Sequence, residues 1–559
     1  MNAYISSITL NDGQIVNLKQ NDIVVFVGPN NSGKSRALQD INQLCSIEHG
    51  NRWNNEIIIK DLEIVKCGVE NVLSSMETEG WAIKNGEGYN VFGRNMRHEE
   101  IRNIVGGKYF GVLKDAFLMY INAGNIHFAN MASNDMSDAG RQQPIQYLSD
   151  FKSMRDKASE GFRRAFGQDL LPHRLKGNGV PLCIGNQKEL DLVTENKVGN
   201  ESLDAYKEFM DQLPMVQEQS DGIKSFASTL INLVLTFKQI YLLDEPETFL
   251  HPPQALIMGQ LIGEFLNERQ AFISTHSQEI IKGLLEMQPE RVKIIRITRK
   301  ENVNRFKILD NSEIEKIWKD PLLKYSDMLN GLFHEKVVLC ESDADCKMYS
   351  VIMSHCKGEE GLYSQTQFIQ SNGKQRMPKV VSALRRLGID VYCVIDIDLL
   401  SNDVDLKRIV ETYDHKWEEI RDFYRQLQAN LNETVTHVNR ITVKDKILEI
   451  IDSSKDKDLS KQEINSIYKE LEFTSKWGLI KKTGESAIPS GDGTKAYNYI
   501  KEYLKGLGVF LVGVGELENF IRSVGGHGPD WVSNVLEEYR DFNIDVYSDI
   551  KKFVKSWEI

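Results

Sequence analysis

Residues 28–35 read Gly28, Pro29, Asn30, Asn31, Ser32, Gly33, Lys34 and Ser35, directly after the apolar run Ile23–Val27. Glycines at such spacing let successive backbone N–H groups turn toward one anion, and a helix starting at Ser35 would aim its positive end at the same point. Lys34 can then reach the β- and γ-phosphates of a nucleotide, while Ser35 offers a hydroxyl to Mg²⁺. The eight-residue pattern is a Walker A loop, set between a strand of the buried type and a helix.

A second apolar run, residues 239–243, ends in Asp244-Glu245-Pro246-Glu247, the form of a Walker B strand. Asp244 is expected to hold the metal through water, and Glu245 to polarise the water that attacks the γ-phosphate. A third run, 271–275, delivers His276 and Ser277, and the imidazole stands where a switch histidine of ABC-type ATPases contacts the γ-phosphate. Upstream, Ser220-Asp221-Gly222-Ile223-Lys224-Ser225 leads into an apolar helix over 226–237 and resembles an ABC signature that lacks the usual pair of glycines. Ser220 and Gly222 are read either as binding the γ-phosphate of ATP held by another subunit, or as an ordinary helix N-cap.

The second half of the chain carries acids at the ends of three further apolar runs. Lys336–Cys340 ends in Glu341-Ser342-Asp343-Ala344-Asp345, residues 391–395 end in Asp396-Ile397-Asp398, and residues 508–514 end in Gly515-Glu516-Leu517-Glu518. In an open parallel sheet the carboxyl ends of the strands share one edge, so acids far apart in sequence can meet there. Gathered carboxylates repel unless cations intervene, and oxygen-only donors suit Mg²⁺ or Mn²⁺. Two such ions about 4 Å apart would activate water and stabilise the departing oxygen of a phosphodiester.

The pair of motifs at Glu341–Asp345 and Asp396–Asp398 resembles a TOPRIM domain, and an ABC-like ATPase preceding TOPRIM resembles the OLD family of ATP-dependent nucleases. That family includes the nuclease subunit of Gabija defence and OLD-type effectors found beside some retrons. The matching motifs run from Gly28 to Glu518. The resemblance implies that Glu341 is a metal ligand or general acid/base and that Asp345, Asp396 and Asp398 complete the metal cluster, with Glu516 and Glu518 competing for the late acidic position. The family's lysine has no unique match, and Lys551, Lys552 and Lys555 are candidates by location alone. The implied cofactors are ATP and Mg²⁺, or Mn²⁺ at the nuclease site. The implied partners are DNA, a second copy of the chain in a homodimer or higher oligomer joined through the ATPase domain, and a companion defence protein or nucleic-acid complex. One departure is Ser342, where the family has glycine to relieve crowding at a tight strand-to-helix turn.

Composition narrows the alternatives. The formal charge of −12 argues against a surface that grips any duplex, so nucleic-acid contact must be local. Basic groupings that could serve are Arg163-Arg164 with His173-Arg174, Lys374 to Arg376 with Lys379, Arg385-Arg386, and Lys481-Lys482; such a grouping is more often a solvated face. No apolar run is long enough to cross a bilayer, and the first residues lack a secretory pattern, so a cytoplasmic protein without membrane contact is expected. Seven cysteines without paired CxxC spacing read as packed, reduced thiols. An ATP-switched DNA clamp of SMC or RecF type with a non-cutting acidic domain is a second reading. An ATPase serving a membrane transporter is a third, and it leaves the carboxylate half without a purpose.

To position these groups, 559 residues must form more than one core. The expected fold class is α/β. Residues 1–325 form an ABC-type P-loop ATPase domain, with a helical dimerisation insertion at about 142–213. Residues 326–559 form a TOPRIM parallel-sheet domain, with a helical insertion at about 404–477. The boundary is placed around Pro321 and the Asn330-Gly331 turn.

Overall fold

A computed structural model describes the chain apart from residues 1–2, 48–56, 79–81, 87, 92–93, 123, 125–131, 134–142, 178, 196, 236–237, 301–302, 320–326, 358–364, 434–439, 454–457, 472–475 and 558–559. It divides into two compact units, Met1–Phe333 and His334–Ile559. Pro321 and the expected boundary at 325/326 lie outside the described residues.

The first unit opens with strands β1 (Ala3–Leu10) and β2 (Ile15–Asn17), which join β4 (Ile59–Lys66) in a three-stranded antiparallel sheet. Its main sheet has six strands. These are β3 (Ile23–Val27), β5 (Leu118–Ile121), β6 (Ile240–Asp244), β7 (Gln270–Ser274), β8 (Val292–Lys300) and β9 (Val303–Leu309), in the order β9-β8-β3-β7-β6-β5. All neighbours are parallel except β8 and β9. Every residue of β3 is buried, as expected of a strand covered on both faces, which explains its unbroken apolar sequence. The register sets Asp244 opposite Ser274 and Ser274 opposite Phe26, so the ends of β6, β7 and β3 lie side by side. Helix α1 (Lys34–Cys45) follows β3. Its fully buried Asp40 accepts the backbone N–H groups of Ile57, Ile58 and Ile59 and pairs with Arg36 at 2.7 Å, fixing the helix to the chain that enters β4.

Residues 142–213, expected to be helical, are mixed. Helices Pro144–Asp150 and Lys152–Phe166 precede an antiparallel pair, Asp169–Pro172 with Leu182–Gly185, and helices Gln187–Thr194 and Asn200–Asp211 follow. The strand pair was missed because each strand is only four residues long, too short for a periodic signal. Helix α2 (Asp221–Leu233) carries the signature-like segment at its start.

The second unit is built on a parallel four-stranded sheet. Its strands β10 (Lys336–Cys340), β11 (Thr366–Gln370), β12 (Asp390–Asp396) and β13 (Val509–Val512) run in the order β11-β10-β12-β13. Helix α3 (Asp343–Lys357) follows β10 and buries Met348 and Tyr349 in a core with Phe510, Trp531, Tyr547 and Trp557. Between β12 and β13 the described residues are mainly helical. The helices are Asp403–Thr412, Glu418–Glu433, Arg440–Asp452, Lys461–Leu471, α4 (Lys476–Thr483) and Asp492–Gly506. No helix among the described residues is long and apolar enough to cross a membrane, and all seven cysteines are free.

Candidate nucleotide and metal centres

In the first unit, residues 28–35 connect β3 to α1. Gly28 has φ +143°, and a Cβ there would lie 2.0 Å from the Ile297 carbonyl oxygen of β8, so only glycine fits the strand-to-loop corner. Asn31 is also left-handed, at φ +61°, and Gly33 caps α1. Asn30 lies in the loop and Ser35 in the first turn of α1, and the Ser32 hydroxyl is buried with no hydrogen-bond partner among the described residues. The Lys34 ammonium folds back onto the loop, donating to the carbonyls of Gly28 at 2.9 Å and Pro29 at 2.8 Å. Burial lowers its pKa to about 8, against the opposing pull of Glu245, Glu247 and Asp244. A lysine poised over its own loop carbonyls has the reach to exchange them for phosphate oxygens.

Asp244 ends β6 and accepts hydrogen bonds from the Ser274 hydroxyl and, at 3.3 Å, from the Tyr120 hydroxyl. Glu245 sits at φ +52° with its carboxylate 3.2 Å from His276 Nε2. Burial, then Asp244, raises the Glu245 pKa. His276 is pushed down to about 4, first by burial and then by Lys34, which keeps its imidazole neutral at physiological pH. Glu247 was not singled out from sequence, yet it organises this loop: its Oε1 accepts the Thr275 hydroxyl at 2.8 Å and the His276 backbone N–H at 2.7 Å. Its other oxygen is buried without a partner among the described residues, and burial pushes the Glu247 pKa up to about 7.

The signature-like residues are placed differently. Ser220 is exposed at the N-cap of α2 and makes no side-chain cap bond. A Cβ on Gly222 would meet the Phe249 carbonyl at 2.7 Å, so this glycine admits the chain that follows the Walker B strand. Among the described residues no hydrogen bond or ion pair joins Ser220 or Gly222 to residues 28–35.

In the second unit the carboxyl edge of the sheet gathers acids from two neighbouring strands. Glu341 follows β10, Asp396 ends β12, and Asp398 lies in the 3-10 turn Ile397–Ser401. One oxygen from each lies within 4.8 Å of the others, the only such trio among the described residues. The Asp396 backbone N–H donates to Glu341 Oε1 at 3.2 Å. Burial, then Asp398, lifts the Glu341 carboxyl to about 7. Asp396 is raised well above the usual range by burial, then by Glu341 and Asp345. Carboxylates that resist ionising together, with only oxygen atoms to offer, suit a hard divalent cation.

Asp345, expected in this cluster, turns instead to its own helix start. It accepts the Ser342 N–H at 2.9 Å and hydroxyl at 2.8 Å, and the Ser342 hydroxyl in turn accepts the Asp345 N–H at 3.3 Å. This is a capping pair, and it accounts for serine where glycine was expected: Ser342 is not among the left-handed residues and gains a side-chain bond at the first turn of α3. The two late acids also separate. Glu518 accepts the Gly528 N–H at 2.7 Å and pairs with His527 Nδ1 at 2.6 Å. Glu516 lies 3.6 Å from the Lys481 ammonium, which is also 3.9 Å from Asp396 and 3.8 Å from Asp398. Lys374 reaches Asp398 at 3.0 Å.

Lys374 and Lys481 belong to basic groupings that the sequence offers for nucleic-acid contact or as solvated faces. Among the described residues they are the lysines paired with these acids, whereas no ion pair joins Lys551, Lys552 or Lys555 to them; Lys552 reaches Asp549 at 4.0 Å. Burial works against the charge of Lys481, but Asp398, Asp396 and Glu516 outweigh it and raise its pKa. No sequence signal marks Lys481, because α4 meets the sheet edge only through the tertiary fold.

Two family models match parts of the chain. Residues 148–282 match the family model described as "AAA domain, putative AbiEii toxin, Type IV TA system", and residues 332–398 match "Overcoming lysogenization defect protein-like, TOPRIM domain". No curated protein matches the chain. Similar solved structures include an Smc head bound to the C-winged helix domain of ScpA, at 16% identity and TM-score 0.35, covering 56% of this chain and 100% of that one. An Smc head with an extended coiled coil bound to the C-terminal domain of ScpA, derived from Pyrococcus furiosus, is 12% identical at TM-score 0.34, over 57% and 99%. The SMC head domain from Thermotoga maritima is 12% identical at TM-score 0.29, over 55% and 98%.

Proposed function

We propose that this chain, which joins an AAA-type ATPase domain to an OLD-like TOPRIM domain, is an ATP-regulated, metal-dependent DNA endonuclease or nickase acting in antiviral defence. The observation that carries the reading is the trio Glu341, Asp396 and Asp398, which brings three carboxylate oxygens within 4.8 Å at the carboxyl edge of a parallel sheet, beside two lysines. These residues would hold a divalent cation, which when bound would lower the pKa of water and polarise the phosphodiester. The chain's own part is to keep that edge anionic and ordered. The Asp396 N–H holds Glu341 Oε1 in place, and Lys374 and Lys481 limit the repulsion among the acids.

Nucleotide control rests on Lys34, Glu245 and His276 in the first unit. A neutral His276 held against Glu245 can donate to a γ-phosphate oxygen or accept from the attacking water, and Glu247 fixes the backbone that carries it. Binding of ATP between two copies would then give the homodimer or higher oligomer, with Ser220 and Gly222 of one copy facing the nucleotide of the other. A non-cutting DNA clamp fits less well, since it gives the trio no task.

The test uses the full chain on supercoiled plasmid with Mg²⁺ or Mn²⁺, with and without ATP. Nicking or linearisation is expected for the wild type, loss of cleavage for Asp396→Ala, and loss of ATP turnover with retained metal binding for Lys34→Ala. Cleavage unchanged in Asp396→Ala would falsify the metal centre, and ATP hydrolysis unchanged in Lys34→Ala would remove the nucleotide assignment.

A further inference from the structure

We propose that the hairpin of β8 and β9 in the first unit is a DNA-binding ribbon, whose Lys300, Arg305 and Lys307 grip the phosphates of a duplex. Such a surface would hold DNA whether or not the second unit cuts it, so it stands apart from the nuclease reading above.

Strand β8 pairs with β3 only as far as Arg296 opposite Val27, whereas its pairing with β9 runs on to Lys300 opposite Val303. Residues 297–300 and 303–306 therefore leave the six-stranded sheet as a two-stranded ribbon. Because β8 is parallel to β3, the ribbon extends from the edge at which β3 runs into the phosphate loop. Its root is fixed there: Ile297 is fully buried, and its carbonyl oxygen fills the space that a Cβ on Gly28 would need.

Alternation along the strands gathers charge on one face. The cross-strand pairs Arg296–Lys307, Thr298–Arg305 and Lys300–Val303 share a side. Arg296 is buried at the root and donates to the Leu332 carbonyl at 3.4 Å. Lys300, Arg305 and Lys307 are exposed, and among the described residues no ion pair engages any of the three. Residues 292–309 hold six basic residues against the single acid Glu301, in a chain whose formal charge is −12. A local excess of this kind is what contact with a polyanion requires of an acidic protein. Adjacency in the sequence does not show it, since Phe306 separates Arg305 from Lys307.

The shape selects a duplex. On an antiparallel strand Arg305 and Lys307 stand about 7 Å apart, and a two-stranded ribbon is narrow enough for the major groove, about 12 Å wide. The charged face adds Thr298 and Val303 but no aromatic ring on which an unpaired base could stack, as sites for single strands use. Contact is then with backbone phosphates and carries no sequence preference. Basic residues also guard edge strands against pairing with another copy. That role covers Arg305 and Lys307 on the edge strand β9 but not Lys300, which lies on the inner strand β8.

The experiment measures binding of the full chain to a short fluorescent DNA duplex in EDTA, where no metal-dependent cutting occurs, over a series of KCl concentrations. Lys300→Gln, Arg305→Gln and Lys307→Gln combined should weaken binding at least about tenfold and make the slope of log affinity against log salt shallower by about 2.7, at about 0.9 per phosphate contact. The charge-keeping set Lys300→Arg, Arg305→Lys and Lys307→Arg should retain affinity and slope. So should Lys188→Gln, Lys197→Gln and Lys207→Gln, which remove three exposed lysines elsewhere in the first unit. ATP turnover without DNA should match wild type in every set; should the glutamine triple lose it, Arg305→Gln alone carries the test, with a slope change of about 0.9. Affinity or slope unchanged in the glutamine triple, an equal loss in the Lys188 set, or self-association of the glutamine triple with DNA binding intact would each overturn the ribbon. A single strand held more tightly than the duplex by the same three residues would overturn the choice of duplex. Cleavage surviving in Asp396→Ala removes the nuclease reading and not this one.

Discussion

Replacing Glu247 by glutamine should stabilise the first unit at high pH, which is the reverse of what removing a charged, hydrogen-bonded residue usually does. The carboxyl is raised from its ordinary 4.5 to about 7 by burial, and one of its oxygens has no partner among the described residues. Because the folded state holds this proton more tightly than the unfolded chain, the ionised form is penalised on folding. The penalty is absent below pH 4.5, grows as pH rises toward 7 and is constant above it. Spanning that interval at 1.36 kcal/mol per pH unit gives about 3 kcal/mol at pH 8. Glutamine keeps the oxygen that accepts from Thr275 and the His276 N–H, but leaves an amide N–H₂ unmet, which takes back about 1 kcal/mol. The net gain of about 2 kcal/mol corresponds to a rise of about 3 °C in the unfolding midpoint of a unit this large.

Differential scanning calorimetry at pH 8 and pH 5 reads this directly, the first-unit transition being identified by its shift on adding nucleotide. At pH 5 the gain should vanish, and the variant should unfold at or slightly below the wild-type temperature. ATP turnover should survive in Glu247→Gln, since His276 keeps its backbone anchor, and fall about 10- to 100-fold in Glu247→Ala, where two donors lose their acceptor. A glutamine variant less stable than wild type at pH 8, or a difference independent of pH, would refute the reasoning.

Two further outcomes separate neighbouring roles at the sheet edge. Asp345→Ala should reduce thermal stability by about 1 kcal/mol through loss of the helix cap, while Mn²⁺ affinity measured by calorimetry stays within about fivefold of wild type, in contrast to the abolished binding expected for Asp396→Ala. Gly515→Ala, whose Cβ would stand 2.1 Å from the Lys481 carbonyl oxygen, should force the loop away from that carbonyl and reduce plasmid cleavage at least about tenfold, with ATP turnover, measured in the same sample, unchanged.

Much of the scaffold was legible because its signals are local. Apolar runs such as Ile23–Val27 and Lys336–Cys340 are continuous, as strands buried on both faces must be, and each ends abruptly in residues that can bind phosphate or metal. The order of strand and helix around Glu341 and Asp396 likewise announced a parallel sheet, whose carboxyl edge gathers whatever its strands end in. The short strands at Asp169–Pro172 and Leu182–Gly185 escaped because four residues carry no period that distinguishes strand from helix.

What the sequence determined by itself was therefore the identity of the chemistry: a phosphate loop at residues 28–35 with acids and a histidine to serve it, and carboxylates at the ends of strands. Covalent order fixes which groups leave each strand, and strand ends of one parallel sheet must converge. Tertiary structure alone decided which side chains complete each centre. Asp345 sits four residues from Glu341 yet turns its Oδ2 to Ser342, Glu516 rather than Glu518 meets the lysine, and Lys481 arrives from a distant helix held by Asn519. Such choices depend on where side chains find partners once packing has set the backbone, and long-range contacts of that kind leave no spacing in the chain from which to read them.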